Sequence, residues 1–103
     1  MDIDKRIATE VMGWTQHNED WMFDGKLEDW VDIWSPSTDI TDAWLVVEKM
    51  RELGYAIRIE NYVNQNIYEV YVYKNDTECT GVTREETAPK AISLAALEAL
   101  GGK

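Results

Sequence analysis

The chain of 103 residues has few of the residue types on which common enzyme chemistries depend. Its only cysteine, Cys79, excludes an internal disulfide and is expected to be an inert side chain. Its only histidine, His17, lies in a polar stretch, and its spacing from Cys79 does not indicate a catalytic pair. Zinc-ligand spacings and Gly-rich phosphate loops are missing, and Met22 and Val31 stand where an EF-hand around Gly25 needs calcium ligands. We therefore expect no enzyme activity, no metal site and no cofactor; the alternative that stays open is a looser carboxylate site for a metal, with an enzyme activity that depends on it.

Long apolar runs and basic residues are scarce as well. No stretch approaches the roughly 20 apolar residues of a membrane span, and the charged N-terminus has no signal-peptide pattern. The 10 basic residues are outnumbered by 20 acidic ones, and the formal net charge of -10 disfavours binding to nucleic acid or to anionic membranes. The composition, with 45% hydrophobic residues, is typical of one globular domain over residues 1–103, which we expect in the cytoplasm.

The clearest structural signal is a helix within residues 34–54. Pro36 disfavours helical geometry at the residue before it, so the helix begins later. Ser37, Thr38 and Asp39 carry oxygens that can accept hydrogen bonds from the free N–H groups of a first helical turn. This turn is either an anion-holding site or a plain capping motif, and capping is favoured because the acids there repel an anion. One apolar face follows at three- and four-residue steps: Ile40, Ala43, Trp44, Val47 and Met50.

Three strands and two more helices are predicted around it. Residues 3–12 form an amphipathic helix that Gly13 ends. Residues 55–60 alternate in the manner of a half-buried strand, and residues 67–74 are the strongest strand signal in the chain. A third strand is expected over residues 78–83, and the short connections demand antiparallel pairing. Together with a last helix, these elements predict an α+β fold: a three-layer α-β-α sandwich with a small antiparallel sheet of about three strands and three helices.

The last helix is predicted over residues 88–100, with Pro89 in its first turn, where the missing N–H costs nothing. It is apolar on nearly all sides, so it is either deeply packed or placed at a subunit interface. Because it lacks a polar side, we expect a homo-oligomer formed through this helix.

The segment from Thr15 to Ser35 is polar but contains several aromatic side chains, and it is predicted to be an irregular loop. Asp24 and Gly25 indicate a tight turn and a short hairpin within it. The tryptophans of this region serve either as a binding platform or as a small core under the loop. The small core is favoured, with one or two rings partly exposed: Trp14, Trp21, Trp30, Trp34 and Trp44.

Acidic residues concentrate between His17 and Asp42, where eight carboxylates accompany one lysine, Lys26. Such a patch can bind cations or a basic partner surface, or imitate a nucleic acid. The alternative, which is favoured, is a solvated face that keeps the protein soluble. The eight are Glu19, Asp20, Asp24, Glu28, Asp29, Asp32, Asp39 and Asp42.

Three blocks of the sequence resemble the phage ABA sandwich domain family, whose members are small proteins of Bacillus phages and prophages. The blocks are Val-Met-Gly-Trp at residues 11–14, Trp-Ser-Pro-Ser-Thr-Asp-Ile with its helix at residues 34–50, and Thr-Ala-Pro-Lys-Ala-Ile-Ser-Leu-Ala-Ala-Leu at residues 87–97. They occur in order along nearly the whole chain. The resemblance implies a layered α-β-α fold and a phage or prophage origin, and it implies no reaction.

The function that we expect is that of a non-catalytic accessory or protein-binding module in the cytoplasm of the host cell. Its partner would be a host or phage protein, with the acidic segment and the loop tryptophans as the contact face. The alternative is a protein that binds a nucleotide or metabolite in a pocket between helix and sheet, lined by Trp34, Trp44, Tyr71 and Tyr73. The candidate binding residues are Trp21, Trp30, Trp34, Ser37, Thr38, Asp39 and Trp44.

Overall fold

The computed structural model describes residues 3–17, 20–22, 30–31, 34–75 and 78–100. Its first helix, α1, runs over Ile3–Arg6 and continues as a π-helical turn, Ile7–Val11. The remaining elements are β1 (Thr15–His17), β2 (Asp20–Met22), β3 (Trp30–Val31), α2 (Ile40–Glu52), β4 (Tyr55–Tyr62), a 3-10 turn (Val63–Gln65), β5 (Ile67–Lys74), β6 (Glu78–Glu85) and α3 (Ala88–Ala99).

The first helix ends as its sequence predicts. Gly13 has a φ of 74°, a left-handed conformation that favours glycine and turns the chain out of the helix. The N–H of Trp14 then donates to the carbonyl oxygen of Ala8 over 2.9 Å, and the Trp14 side chain is buried. Trp14 therefore folds back onto the core, in agreement with its predicted place in the small tryptophan core.

The main sheet has the strand order β4-β5-β6, and both pairings are antiparallel, as predicted. Ile59 faces Val70, and Val70 faces Thr83, so these three side chains lie on one face of the sheet. A bulge follows Val72 on its pairing with β6. The outer strands extend two residues further than the sequence pattern indicates, to Tyr62 and Glu85.

Helix α3 lies at the centre of the core and contacts β5, β6, α2 and α1. Six of its residues, on several sides of the helix, are buried: Ala91, Ile92, Ser93, Ala95, Ala96 and Leu97. Its exposed side chains are Lys90 and Glu98. Deep packing, the first of the two alternatives, thus accounts for the apolar composition of this helix. The homo-oligomer expected through residues 88–100 stays a prediction.

Helix α2 buries a narrower face than predicted. Ala43, Val46 and Met50 are fully buried against the rest of the core, whereas Ile40 and Trp44 are 52% and 51% exposed. The buried face differs from the predicted one because α2 contacts α3 and β4 with the side of the helix that carries Ala43, Val46 and Met50. The part of the prediction that placed Trp44 in the core is wrong.

The segment from Thr15 to Ser35 differs from the predicted irregular loop. β1, β2 and β3 form a second antiparallel sheet, with Gln16 opposite Trp21 and Trp21 opposite Val31. Met22 pairs with Trp30, and the tight turn predicted at Asp24-Gly25 lies outside the described residues. Residues 23–29 themselves lie outside the described residues. Short strands flanked by acids give a weak sequence signal, so pairing with neighbouring strands decides their conformation.

The structure confirms the α+β class: the described residues form three helices and a three-stranded antiparallel main sheet. None of the helices in the described part of the chain is long and apolar enough to cross a membrane.

Candidate functional site

The main sheet has a second face that points away from its helices. Side chains alternate along a strand, so Val70 and Val72, which are fully buried, point to the helices, while Tyr71 and Tyr73 point to the other side. The strand register places further polar side chains next to them. We call this surface the outer sheet face and define it by Arg58, Glu60, Tyr62, Glu69, Tyr71, Tyr73, Val82 and Arg84.

Glu69 is the hub of the outer sheet face, and only 13% of its side chain is exposed. Its carboxylate accepts a hydrogen bond from the hydroxyl of Tyr71 and lies 3.0 Å from the hydroxyl of Tyr62. Its other oxygen forms an ion pair with Arg84 at 3.2 Å from Nε. Three donors from three strands therefore converge on one carboxylate, which is how a half-buried charge is stabilised.

The hydroxyl of Tyr62 lies between two carboxylates, 2.7 Å from Glu60 and 3.0 Å from Glu69. It carries one proton and donates to one carboxylate at a time. The hydrogen bond to Glu60, followed by the one to Glu69, raises the pKa of Tyr62 well above its ordinary value. The pKa of Tyr71 is raised in the same way, and the hydrogen bond to Glu69 is the largest cause.

The hydrogen bonds act in the opposite direction on the carboxylate. The hydroxyl of Tyr71 is the largest cause that lowers the pKa of Glu69, and Tyr62 and the two arginines add to it against the cost of burial. Glu69 is therefore ionised at neutral pH and a weak base, and the two tyrosines hold their protons. This combination suits a fixed polar surface better than it suits acid–base or nucleophilic chemistry.

Arg58 covers the aromatic part of the outer sheet face. Its guanidinium carbon is 4.4 Å from the centre of the Tyr71 ring and 5.8 Å from that of Tyr73. The two rings lie nearly parallel, at 14° and with 6.3 Å between their centres. Arg58 also pairs with Glu60, with 3.4 Å between Nε and the carboxylate. Cation–π contact and ion pair together hold the guanidinium over the rings.

A surface groove of about 680 Å³ lies beside this network, where the sheet meets the start of α3. Arg84, Gln65, Ile67 and Lys90 are among its lining residues. Arg84 donates to the side-chain oxygen of Gln65 over 3.0 Å, and Lys90 pairs with Glu85 at 3.7 Å. Among the residues that the structure describes, no group of three or more His, Cys, Asp or Glu side chains could hold a metal ion.

The turn before α2, which the sequence singled out, is tied together by carboxylates. Asp39 accepts from the N–H of Thr41 over 2.8 Å and caps the helix. Asp42 accepts from the N–H of Ser35 over 2.9 Å, and Asp4 of α1 accepts from the N–H of Ser37 over 2.8 Å. The capping interpretation is confirmed, and the binding role assigned to Ser37, Thr38 and Asp39 stays a prediction.

The structure brings two of the predicted tryptophans together. Trp14 and Trp34 are buried and meet edge to face, with 4.5 Å between ring centres, and the Trp34 indole donates to the carbonyl oxygen of Asp4 over 3.1 Å. The small tryptophan core is confirmed for this pair. The side chains of Trp21 and Trp30 lie outside the described residues.

The pocket predicted from Trp34, Trp44, Tyr71 and Tyr73 does not form. Trp34 is buried beside Trp14, and Trp44 is half exposed on the outside of α2. Tyr71 and Tyr73 point to the face of the sheet opposite to the helices, because they alternate with the buried Val70 and Val72. The sheet therefore separates these tyrosines from the helix that carries Trp44.

The sequence interpretation missed the outer sheet face. One signal was available: neither face of the strand over residues 67–74 is fully polar, and Glu69 stands among its aromatic residues. The partners of Glu69 come from other strands, however, so only the register shows that Tyr62 and Arg84 reach it.

Fold and surface together define a small α+β sandwich domain whose antiparallel sheet packs on helices by one face and exposes a polar and aromatic network on the other. Residues 5–97 match the family model of the phage ABA sandwich domain, and the chain belongs to this family. It is also similar to a phage protein from Bacillus cereus ATCC 14579 of known crystal structure. The two share 31% sequence identity with a TM-score of 0.72, over 95% of this chain and 84% of that one. A comparison with curated proteins gives no match.

Proposed function

We propose that this phage domain is a non-catalytic protein-binding module that acts on a host or phage protein in the cytoplasm of the host cell. The outer sheet face carries the contact. The observation that supports this most is the arrangement of Arg58 over the stacked rings of Tyr71 and Tyr73. Tyrosine and arginine are the residue types that contribute most binding energy at protein interfaces.

The surface is organised in the way that interfaces are. Tyr71 and Tyr73 lie at its centre together with Val82, which faces Tyr71 across the strands and is 41% exposed. Charged side chains surround this apolar centre, and each is already paired with a neighbour, as Arg84 is with Glu69. An apolar centre with a polar rim excludes water from the contacts that matter most.

The network also lowers the cost of binding. Tyr71 is held at its hydroxyl by Glu69 and at its ring by Arg58, so its rotamer is set before a partner arrives. Immobilising a flexible side chain at an interface costs about 0.5–1.5 kcal/mol. A surface fixed in advance avoids part of that cost. The balance of two arginines and two glutamates on this face also favours a protein partner over nucleic acid.

The test is a pull-down from host-cell lysate, with and without phage infection, using the immobilised chain. We expect a partner to be retained by the wild type and lost by Arg58→Ala and Tyr71→Ala. Arg51→Ala is the matched control, because Arg51 is equally an ion-paired arginine, at 3.3 Å from Glu48, but lies on α2. Recovery of the same partner by all variants would show that the outer sheet face is not the contact.

A further arm tests the contact face first expected from the sequence. That face was the acidic segment over residues 19–42 with the loop tryptophans, and Trp44, another of the candidate binding residues, follows this segment on α2 and is 51% exposed. Loss of the partner in Trp44→Ala, with retention in Arg58→Ala, would place the contact on α2 and the acidic segment before it.

The second candidate function is small-molecule binding, now in the groove beside Arg84 and Lys90. Its volume of about 680 Å³ lies in the range of ligand sites. Thermal shift against metals and nucleotides tests it, because a ligand that binds only the folded chain raises its stability. Stabilisation at micromolar ligand that disappears in Lys90→Ala would favour this function over a protein partner. We expect no such shift.

A further inference from the structure

The two edges of the main sheet are not equivalent. On the β6 edge, the N–H of Val82 donates to the carboxylate of Glu98 over 3.0 Å, so this edge group is already bonded within the chain. The bulge after Val72 further disrupts the pairing on that side. Among the strands that the structure describes, β4 pairs with β5 alone, and it does so without a register shift from Tyr55 to Tyr62. A long, regular edge strand is a template for pairing with another strand.

The sequence of β4 is complementary to itself. If two copies pair antiparallel around a twofold axis at Ile59, Arg58 of each copy faces Glu60 of the other. Moving the axis by one residue along the strand places Arg58 opposite Arg58, or Glu60 opposite Glu60, and both arrangements repel. Axes between residues would put the helices of the two copies on opposite sides of the sheet, because side chains alternate.

We propose that two copies of this chain associate through β4 and form a continuous six-stranded antiparallel sheet. Ile59 lies on the twofold axis, and two Arg58–Glu60 pairs flank it. The exposed apolar surface beside the edge agrees with this occupant: Ile59 is 38% exposed, and Val63, directly after the strand, is 82% exposed. The inference is independent of the proposed function, although the pairing would join the outer sheet faces of both copies into one surface.

The first test measures molar mass against concentration by light scattering coupled to gel filtration. We expect a dimer at micromolar concentrations for the wild type. Arg58→Glu places four carboxylates around the axis and should weaken the dimer by about tenfold or more. The double variant Arg58→Glu with Glu60→Arg restores opposite charges and should restore the dimer. Arg51→Glu, the same charge change on α2, should leave it intact.

The second test probes the register without altering either charge. In a Cys79→Ser background, Ile59→Cys should form an intermolecular disulfide on mild oxidation, because a residue on the axis faces itself at about 4.5–5.5 Å between Cα atoms. Asn61→Cys alone should not, since its partner across the axis is Ile57. Circular dichroism confirms folding of each variant. A monomer at all concentrations, a dimer unaffected by Arg58→Glu, or equal cross-linking at positions 59 and 61 would overturn the proposal.

Discussion

Gly81 of β6 lies directly against the backbone of Ala95 in α3. A Cβ atom built at Gly81 would stand 2.7 Å from the carbonyl oxygen of Ala95 and 3.3 Å from the amide nitrogen of Ala99. Both neighbours are helix backbone, which cannot move aside as a flexible side chain can. The absence of a side chain at this one position therefore lets α3 approach the sheet closely.

We expect Gly81→Ala to lower the free energy of unfolding by about 1–3 kcal/mol, because the added methyl overpacks the contact between helix and sheet. Urea denaturation monitored by tryptophan fluorescence measures it. Cys79→Ala, an exposed change in the same strand, serves as the control and should stay within about 0.5 kcal/mol of the wild type. Equal stability of both variants would mean that α3 does not approach β6 this closely.

Removing the hydroxyl of Ser93 and removing that of Thr83 should change the stability of the chain in opposite directions. Ser93 is fully buried, and its hydroxyl has no hydrogen-bond partner among the described residues, so Ser93→Ala should stabilise the chain by about 1 kcal/mol. The hydroxyl of Thr83 donates to the carbonyl oxygen of Ala91 over 2.6 Å, so Thr83→Val should cost about 0.5–1.5 kcal/mol. Chemical denaturation measures the free energy of unfolding of both variants against the wild type. A destabilised Ser93→Ala would reveal a partner for this hydroxyl.

The cap of α2 provides a third prediction. Asp39→Ala removes the carboxylate that accepts from the N–H of Thr41, and we expect a loss of about 1 kcal/mol in the free energy of unfolding. Thr38→Ala is the neighbouring control, because the Thr38 side chain is exposed and lies at the limiting distance of 3.5 Å from the carbonyl oxygen of Ser35. Thermal unfolding compares the two. A loss in Thr38→Ala as large as in Asp39→Ala would show that the cap is not the source.

The hydrogen bonds of the outer sheet face should make its tyrosines ionise at a higher pH than usual. Glu69 raises the pKa of Tyr71 above the ordinary value of about 10, so in Glu69→Gln we expect this hydroxyl to ionise at lower pH than in the wild type. Ultraviolet absorbance of tyrosinate during an alkaline titration measures the change. Glu60→Gln should instead lower the pKa of Tyr62 most, because the hydrogen bond to Glu60 is the largest cause that raises it. Titrations that coincide with that of the wild type would contradict the network.

The sign of the linked stability follows from the direction of these shifts. A raised pKa in the folded state means that folding favours the protonated tyrosine. The contribution is fully present below the unfolded value of about 10 and is lost as the pH rises through the folded value. Wild type should therefore lose more stability than Glu69→Gln between neutral and strongly alkaline pH.

Local patterns in the sequence were sufficient for the elements that carry their own signals. The strand over residues 67–74 has the predicted bounds, and α2 begins at Ile40, directly after the capping residue that its sequence indicates. Gly13 ends α1 because a left-handed residue is needed there and glycine adopts that conformation without strain. Each of these depends on contacts within a few residues, and those contacts can be read along the chain.

Features that depend on distant contacts could not be read in this way. The strands before Trp34 have only two or three residues each, and their pairing partners stabilise them more than their own propensity does. The position of Trp44 on the outside of α2 depends on which side of the helix meets α3. The family and its α+β class were nevertheless within reach, because the three motif blocks that carry the resemblance are local.

The sequence by itself determined the class of fold, the antiparallel connections and the cap and ends of the helices, because hydrophobic period, turn residues and capping side chains act over short distances. Only the tertiary structure decided that α3 is buried within one chain. It also decided that Tyr62, Tyr71 and Arg84, from three strands, contact the carboxylate of Glu69. The register of the main sheet brings these side chains together across gaps of two to fifteen residues. Pairing energy summed over whole strands sets that register, and no short stretch of sequence contains it.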